Sequence, residues 1–169
     1  MHIRRLAPAD ASAFQTLRLT GLKEEPASFG SSYDEEKDFP TSTIESRLAM
    51  RSDRGPFGAF ENENLIGLVA LGREDRKKLN HKALIWGMYV KPEFRGEGIA
   101  RALLGEALAL ARSVPEVKQV NLSVNAHNLI AIRLYESFGF KAFGNEPGAM
   151  LIDDELHDEI HMYLRLKDR

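Results

Sequence analysis

The stretch that most constrains this chain runs from Val90 to Leu104: Val-Lys-Pro-Glu-Phe-Arg-Gly-Glu-Gly-Ile-Ala-Arg-Ala-Leu-Leu. An apolar strand over residues 84–90 ends in a proline-containing turn, and a glycine-rich corner at Gly96 and Gly98 opens directly into a helix over 98–113. Past that helix, Val120, Leu122 and Val124 alternate with Gln119, Asn121, Ser123 and Asn125, the period of a half-buried strand. A strand–helix–strand crossover of this kind forces a parallel pair into whatever sheet the chain builds. The corner also has a chemical consequence. Backbone N–H groups ahead of a helix lack intrahelical partners and sit at the positive end of its dipole, which makes a seat for a phosphate or pyrophosphate. From the corner alone, a tight turn that holds no ligand remains the alternative reading of Gly96 and Gly98.

Elsewhere the pattern is that of a mixed α/β domain, and 169 residues suffice for one hydrophobic core. Residues 3–6 read as a first strand. Asp10 is placed to cap a helix that buries Phe14, Leu17 and Leu22, and Pro26 stops it. Residues 24–39 read as a polar loop carrying Phe29, Tyr33 and the acidic run Asp34-Glu35-Glu36; a helix over 41–50 then buries Ile44 and Leu48. Residues 57–61 and 65–71 form a hairpin about Asn62-Glu63-Asn64. The strand over 84–90 is apolar on both faces, as a central strand is. A helix over 128–138 ends at Gly139, and strands over 140–145 and 157–166 enclose an acidic loop, Asp153-Asp154-Glu155.

Several classes of function are excluded or left without support. A net charge of -2 gives no nucleic-acid footprint, and Lys77-Lys78 is too short to make one. With no cysteine there is no disulfide, thiolate metal site or Cys nucleophile, and the five histidines lack the clustered spacing of a metal site. The opening Met1-His2-Ile3-Arg4-Arg5-Leu6 continues into Ala-Pro-Ala-Asp and not into an apolar run, so no secretory signal is read there; no stretch approaches a membrane span. A soluble cytoplasmic protein is the expectation.

The corner fits two common phosphate motifs poorly. It lacks the Gly-Lys-Ser/Thr ending of a P-loop, and it follows a hairpin where a dinucleotide fold would begin with it. Arg95-x-x-Gly98-x-Ala100 instead resembles the pyrophosphate loop of the GNAT superfamily of N-acetyltransferases, and Asn128-x-x-Ala131-x-x-Leu134-Tyr135-Glu136-x-x-Gly139-Phe140 resembles their second cofactor motif. The resemblance implies one N-acetyltransferase domain over residues 1–169, with a mixed, mostly antiparallel sheet, one parallel splayed strand pair and flanking helices. It implies acetyl-CoA as cofactor and CoA as product. Its pyrophosphate would be held by the backbone of Arg95, Gly96, Glu97, Gly98, Ile99, Ala100 and Arg101, and its pantetheine arm by the strand at Met88, Tyr89 and Val90 and by Asn128. Tyr135 would be the catalytic residue, donating to the departing thiolate. Asn128, Ile132 and Tyr135 do share one helix face, though a helix cap at Asn128 and a packing role for Tyr135 account for the same residues. Gly87 suits a bulge that turns an N–H toward the thioester oxygen, or is simply tolerated beside Trp86.

The acceptor half is less legible. Many family members carry a glutamate on the central strand, and residues 84–90 contain no acid. Glu24, Glu25, Tyr33, His157 and His161 are alternatives for the general base, and none is singled out. The acceptor would be the amine of a small molecule or peptide, with no nucleic acid or membrane partner, and a homodimer is compatible with the sequence. Two other readings stand beside this one: a non-catalytic acyl-CoA sensing module, and a transferase acting on protein N-termini or lysines.

Overall fold

A computed structural model describes residues 1–166. Among them one sheet runs in the order β1 (His2–Arg5), β2 (Gly55–Glu61), β3 (Asn64–Arg73), β4 (Lys82–Val90), β5 (Gln119–Asn125), β7 (Glu155–Arg165), β6 (Lys141–Ile152). Helices α1 (Ala11–Glu24), α2 (Tyr33–Glu36) and α3 (Thr41–Arg47) separate β1 from β2; α4 (Ile99–Ser113) joins β4 to β5, and α5 (Leu129–Ser137) precedes β6. Every neighbouring pair is antiparallel except β4 and β5, the pair that the crossover predicts.

Alternation along the strands gives the sheet two apolar faces, each covered by helices. Ile99, Leu103, Ala107 and Ala111 of α4 pack with Val69, Leu71, Ile85 and Val120. On the opposite face Phe14, Leu17 and Leu22 of α1, with Ile44 and Leu48, pack on Leu65, Leu68 and Tyr89. The hairpins close through two-residue turns, Asn62-Glu63 and Asp153-Asp154, all four residues having positive φ. Such turns match the twist of the flanking strands, and Asn and Asp tolerate that conformation best.

Four local expectations are corrected. Asp10 does not cap α1 with its side chain; its carboxylate turns back to accept from Ala7 N at 2.8 Å and to pair with Arg4. The polar loop of 24–39 contains α2, and Glu36, placed by the sequence in the acidic run of that loop, is fully buried against Arg18. β6 and β7 extend well beyond the expected strands and reduce the acidic loop to a turn. Pro147 and Gly148 interrupt the sequence pattern, but the register shift between Glu146 and Met150 absorbs them, and Gly148 N donates to Asp158 Oδ1. Finally, β4 is not covered on both sides. Leu84 is 45% exposed and Trp86 half-buried, because the sheet opens beside them.

That opening positions the site. β4 and β5 pair only at Lys82–Gln119, Ala83–Val120 and Leu84–Asn121; beyond those residues each strand pairs with its other neighbour alone. β4 also bulges there: Leu68 faces Tyr89 and Ala70 faces Trp86, so Gly87 and Met88 together oppose Val69. Gly87 takes φ +67°, which suits a residue without Cβ.

Candidate functional site

Where β4 and β5 part, a cleft of about 410 Å³ lies between the bulge, the loop after α1 and the first turn of α5. Met88 and Gly87 line one wall, and Asn128, Ala131 and Tyr135 the other. The helix-face spacing of Asn128 and Tyr135 therefore does bring both to one cavity. Asn128 also caps α5, accepting from Ala131 N at 3.1 Å. Tyr135 is buried with its ring edge-on to Phe140, 5.9 Å between centroids. Burial pushes its phenol up to about 12, so the hydroxyl keeps its proton throughout the neutral range.

The glycine corner is open. Gly96 and Gly98 have φ +84° and +81°, and nothing lies within 4 Å of a Cβ built at either, so conformation and not crowding requires glycine there. Arg95 N–H is used in the preceding turn, donating to Pro92 O at 3.2 Å. The first N–H to reach back into α4 is that of Ala102, to Gly98 O at 3.0 Å. The N–H groups of Ile99, Ala100 and Arg101 thus precede the helical ladder, and Gly98 supplies no side-chain cap. The side chains at the corner brace it. Arg95 Nε donates to Val90 O and Nη1 to Glu25 Oε1; Arg101 Nη2 donates to Ser137 Oγ and the guanidinium lies over Phe138. Glu97 is exposed, whereas Ile99 is core. Of the three strand residues, Met88 faces the cleft, Val90 packs in the α4-side core and Tyr89 in the α1-side core.

Among the base candidates, Glu24 accepts from Tyr89 Oη, Glu25 pairs with Arg95, and Lys23 sits over the Tyr33 ring at 4.0 Å. Burial and the Glu24 carboxylate push the Tyr89 phenol well up. His157 pairs across the hairpin with Met150. His161 is arranged differently. Its Nδ1 is 2.7 Å from Ser123 Oγ and its Nε2 is 2.8 Å from Glu146 Oε2, and Ser123 lines the cleft. Sequence reasoning missed Arg18, Ser123, Asn125 and Glu159, which all border the same cavity. Arg18 sits on the apolar face of α1 between Leu17 and Leu22, a signal that was visible in the sequence.

The sequence profile of the Acetyltransferase (GNAT) family matches residues 19–140, most of the chain. The chain belongs to the GNAT family. Among its relatives is spermidine N(1)-acetyltransferase of Vibrio cholerae, 31% identical over 104 residues; the match covers 60% of this chain and 57% of that enzyme. Another is the L-amino acid N-acetyltransferase AaaT of Escherichia coli, 25% identical over 118 residues, or 70% and 72% of the two chains. This GNAT protein also shares its fold with YncA of Salmonella typhimurium, a structure solved with acetyl-CoA. The TM-score is 0.83 at 21% identity, covering 100% of this chain and 95% of that one.

Proposed function

We propose that this GNAT protein transfers an acetyl group from acetyl-CoA to a primary amine by direct attack. The observation that carries this reading is the cleft itself: a splayed strand pair with a bulge at Gly87 facing a buried, protonated Tyr135. The corner supports acetyl-CoA as the donor, since free N–H groups at Ile99, Ala100 and Arg101 and the positive end of α4 suit a pyrophosphate. Beyond Leu84 the β4 backbone no longer pairs with β5, which leaves peptide groups for the amides of a pantetheine arm.

Bound acetyl-CoA supplies a thioester whose carbonyl carbon accepts the amine nitrogen while its C–S bond breaks, giving acetylamide and CoA. Tyr135 donates a proton or hydrogen bond to the departing sulfur. Gly87 N–H polarises the carbonyl oxygen, and Asn128 steadies the arm. Most of the acceleration comes from holding the amine and the carbonyl in line. Ser123 passes the amine's surplus proton to His161, which Glu146 orients.

Three measurements bear on this. Release of CoA thiol from acetyl-CoA in the presence of a panel of amines is expected; tight acetyl-CoA binding without turnover on any amine would favour a sensing module. His161→Gln is expected to lose about tenfold to a hundredfold in turnover near neutrality. Its deficit shrinks as pH rises toward the amine's own pKa, near about 10 for an alkylamine, because solvent then removes the proton. A deficit independent of pH would remove His161 from the proton path. Gly98→Ala imposes about 1–2 kcal/mol of left-handed strain, and relaxing it re-aims the corner. A loss of roughly fivefold to thirtyfold in acetyl-CoA affinity follows, read by calorimetry.

A further inference from the structure

Two donors bordering the cleft find no acceptor among the described residues. Arg18 is 4% exposed, and its Nε and Nη2 bind the Glu36 carboxylate at 2.7 Å each. Its third nitrogen, Nη1, is buried with no partner among the described residues. That atom lies 3.5 Å from a Cβ built on Gly87, beside the bulge, with the guanidinium held between the rings of Trp86 and Phe29 at 5.4 and 5.6 Å. Asn125, 7% exposed, is in the same state: its Oδ1 accepts from His127 N, while Nδ2 is buried and unpartnered. Both residues border one cavity. A buried donor without an acceptor is costly, and most such groups are satisfied by water or by a ligand. Here both vacant positions are donors, so the missing group is an acceptor. Charge favours an anion at this point: the vacant donor belongs to a guanidinium, whose hydrogen bonds to carboxylates are the strong ones, even though Glu159 also borders the cavity.

Resting on the acetyltransferase reading, we propose that the acceptor is a small amino acid whose carboxylate docks on Arg18 Nη1. Asn125 Nδ2 supplies a second donor to the acceptor's oxygens. Because Nη1 lies beside Gly87, the carboxylate sits close to the reacting carbonyl, and the nucleophilic nitrogen is only a bond or two from the carboxylate-bearing carbon. A free α-amino acid meets that demand. A polyamine offers no acceptor to either donor and brings its own positive charge against Arg18.

The test compares free α-amino acids with their primary amides and with polyamines as acceptors, using the intact protein and acetyl-CoA. The acids are expected to exceed their amides in kcat/KM by about tenfold to a hundredfold, the range of a hydrogen bond to a charged group. Polyamines are expected to be poorer still. The preference collapses when Arg18→Met is combined with Glu36→Met, a pair that removes both buried charges together, and weakens in Asn125→Ala. A binding arm runs without turnover: N-acetyl-amino acids are titrated against their amides on CoA-loaded protein, and tighter binding of the acids is expected. Amines acetylated with no preference for acids, or a preference that survives both variants, overturns the carboxylate site and leaves the acetyltransferase reading intact. Acids bound selectively with no turnover on any amine does the reverse.

Discussion

Glu36→Ala is expected to destabilise the protein by about 3–5 kcal/mol, the usual cost of removing one partner from a buried ion pair. Glu36 is 1% exposed and holds three helices together. It accepts both bonds from Arg18 of α1, and Arg47 Nη1 at the end of α3 reaches it at 3.0 Å. Its own backbone carbonyl accepts from Gln15. Without the carboxylate, Arg18 keeps a buried charge with only aromatic faces around it. Urea unfolding measures the loss; a variant within about 1 kcal/mol of the parent would refute the ascribed role. Replacing both Arg18 and Glu36 by methionine is expected to cost less than Glu36→Ala, since neither charge is then stranded. The pH dependence follows from the carboxyl's lowered pKa. Burial acts to raise it, but Arg18 and Arg47 together outweigh the burial. A depressed folded pKa stabilises above the unfolded value of about 4.3 and stops doing so as pH falls through the folded one. The stability gap between parent and Glu36→Gln should therefore narrow only in acid.

The second large effect is on turnover. Tyr135→Phe is expected to lower kcat about a hundredfold, the lower end of what a positioned proton donor contributes, and to leave acetyl-CoA affinity nearly unchanged. The size is moderate because a thiol, with pKa near about 8.5, already leaves fairly well. Phenylalanine preserves the edge-on contact with Phe140, so the fold should not suffer. The phenol's raised pKa of about 12 adds a sharper expectation. Since the donor form persists as pH rises, the ratio of parent to variant turnover should stay flat from about pH 7 to about pH 10. A variant with full activity, or a ratio that collapses near pH 8, would remove Tyr135 from the chemistry.

The segments proposed to hold the donor were legible in the sequence because each is contiguous. The corner at Gly96 and Gly98 and the face shared by Asn128 and Tyr135 follow from strand and helix periods. A bulge at Gly87 was one of two open readings, and the register shift opposite Val69 shows the bulge. The acceptor side was not legible, for a physical reason. Arg18 and Glu36 are 18 residues apart and meet only when α2 folds under α1. Ser123, His161 and Glu146 come from three strands aligned by register, not by spacing. Glu36 stood in an acidic run that looks solvated on composition, and only tertiary packing separates it from Asp34 and Glu35. The β6–β7 hairpin runs longer than expected because a bulge between Glu146 and Met150 absorbs Pro147 and Gly148.

The proposed transfer requires the splayed strands and the glycine corner to form one seat for acetyl-CoA, and thermal unfolding with and without the cofactor tests that most directly. A ligand present at about a hundred times its dissociation constant adds about 2.7 kcal/mol. For a chain of this length that corresponds to a rise in Tm of roughly 5–10 °C. The account predicts such a rise with both CoA and acetyl-CoA, and a smaller one in Gly98→Ala at the same concentrations. A melting curve that neither compound moves at millimolar concentration would contradict it.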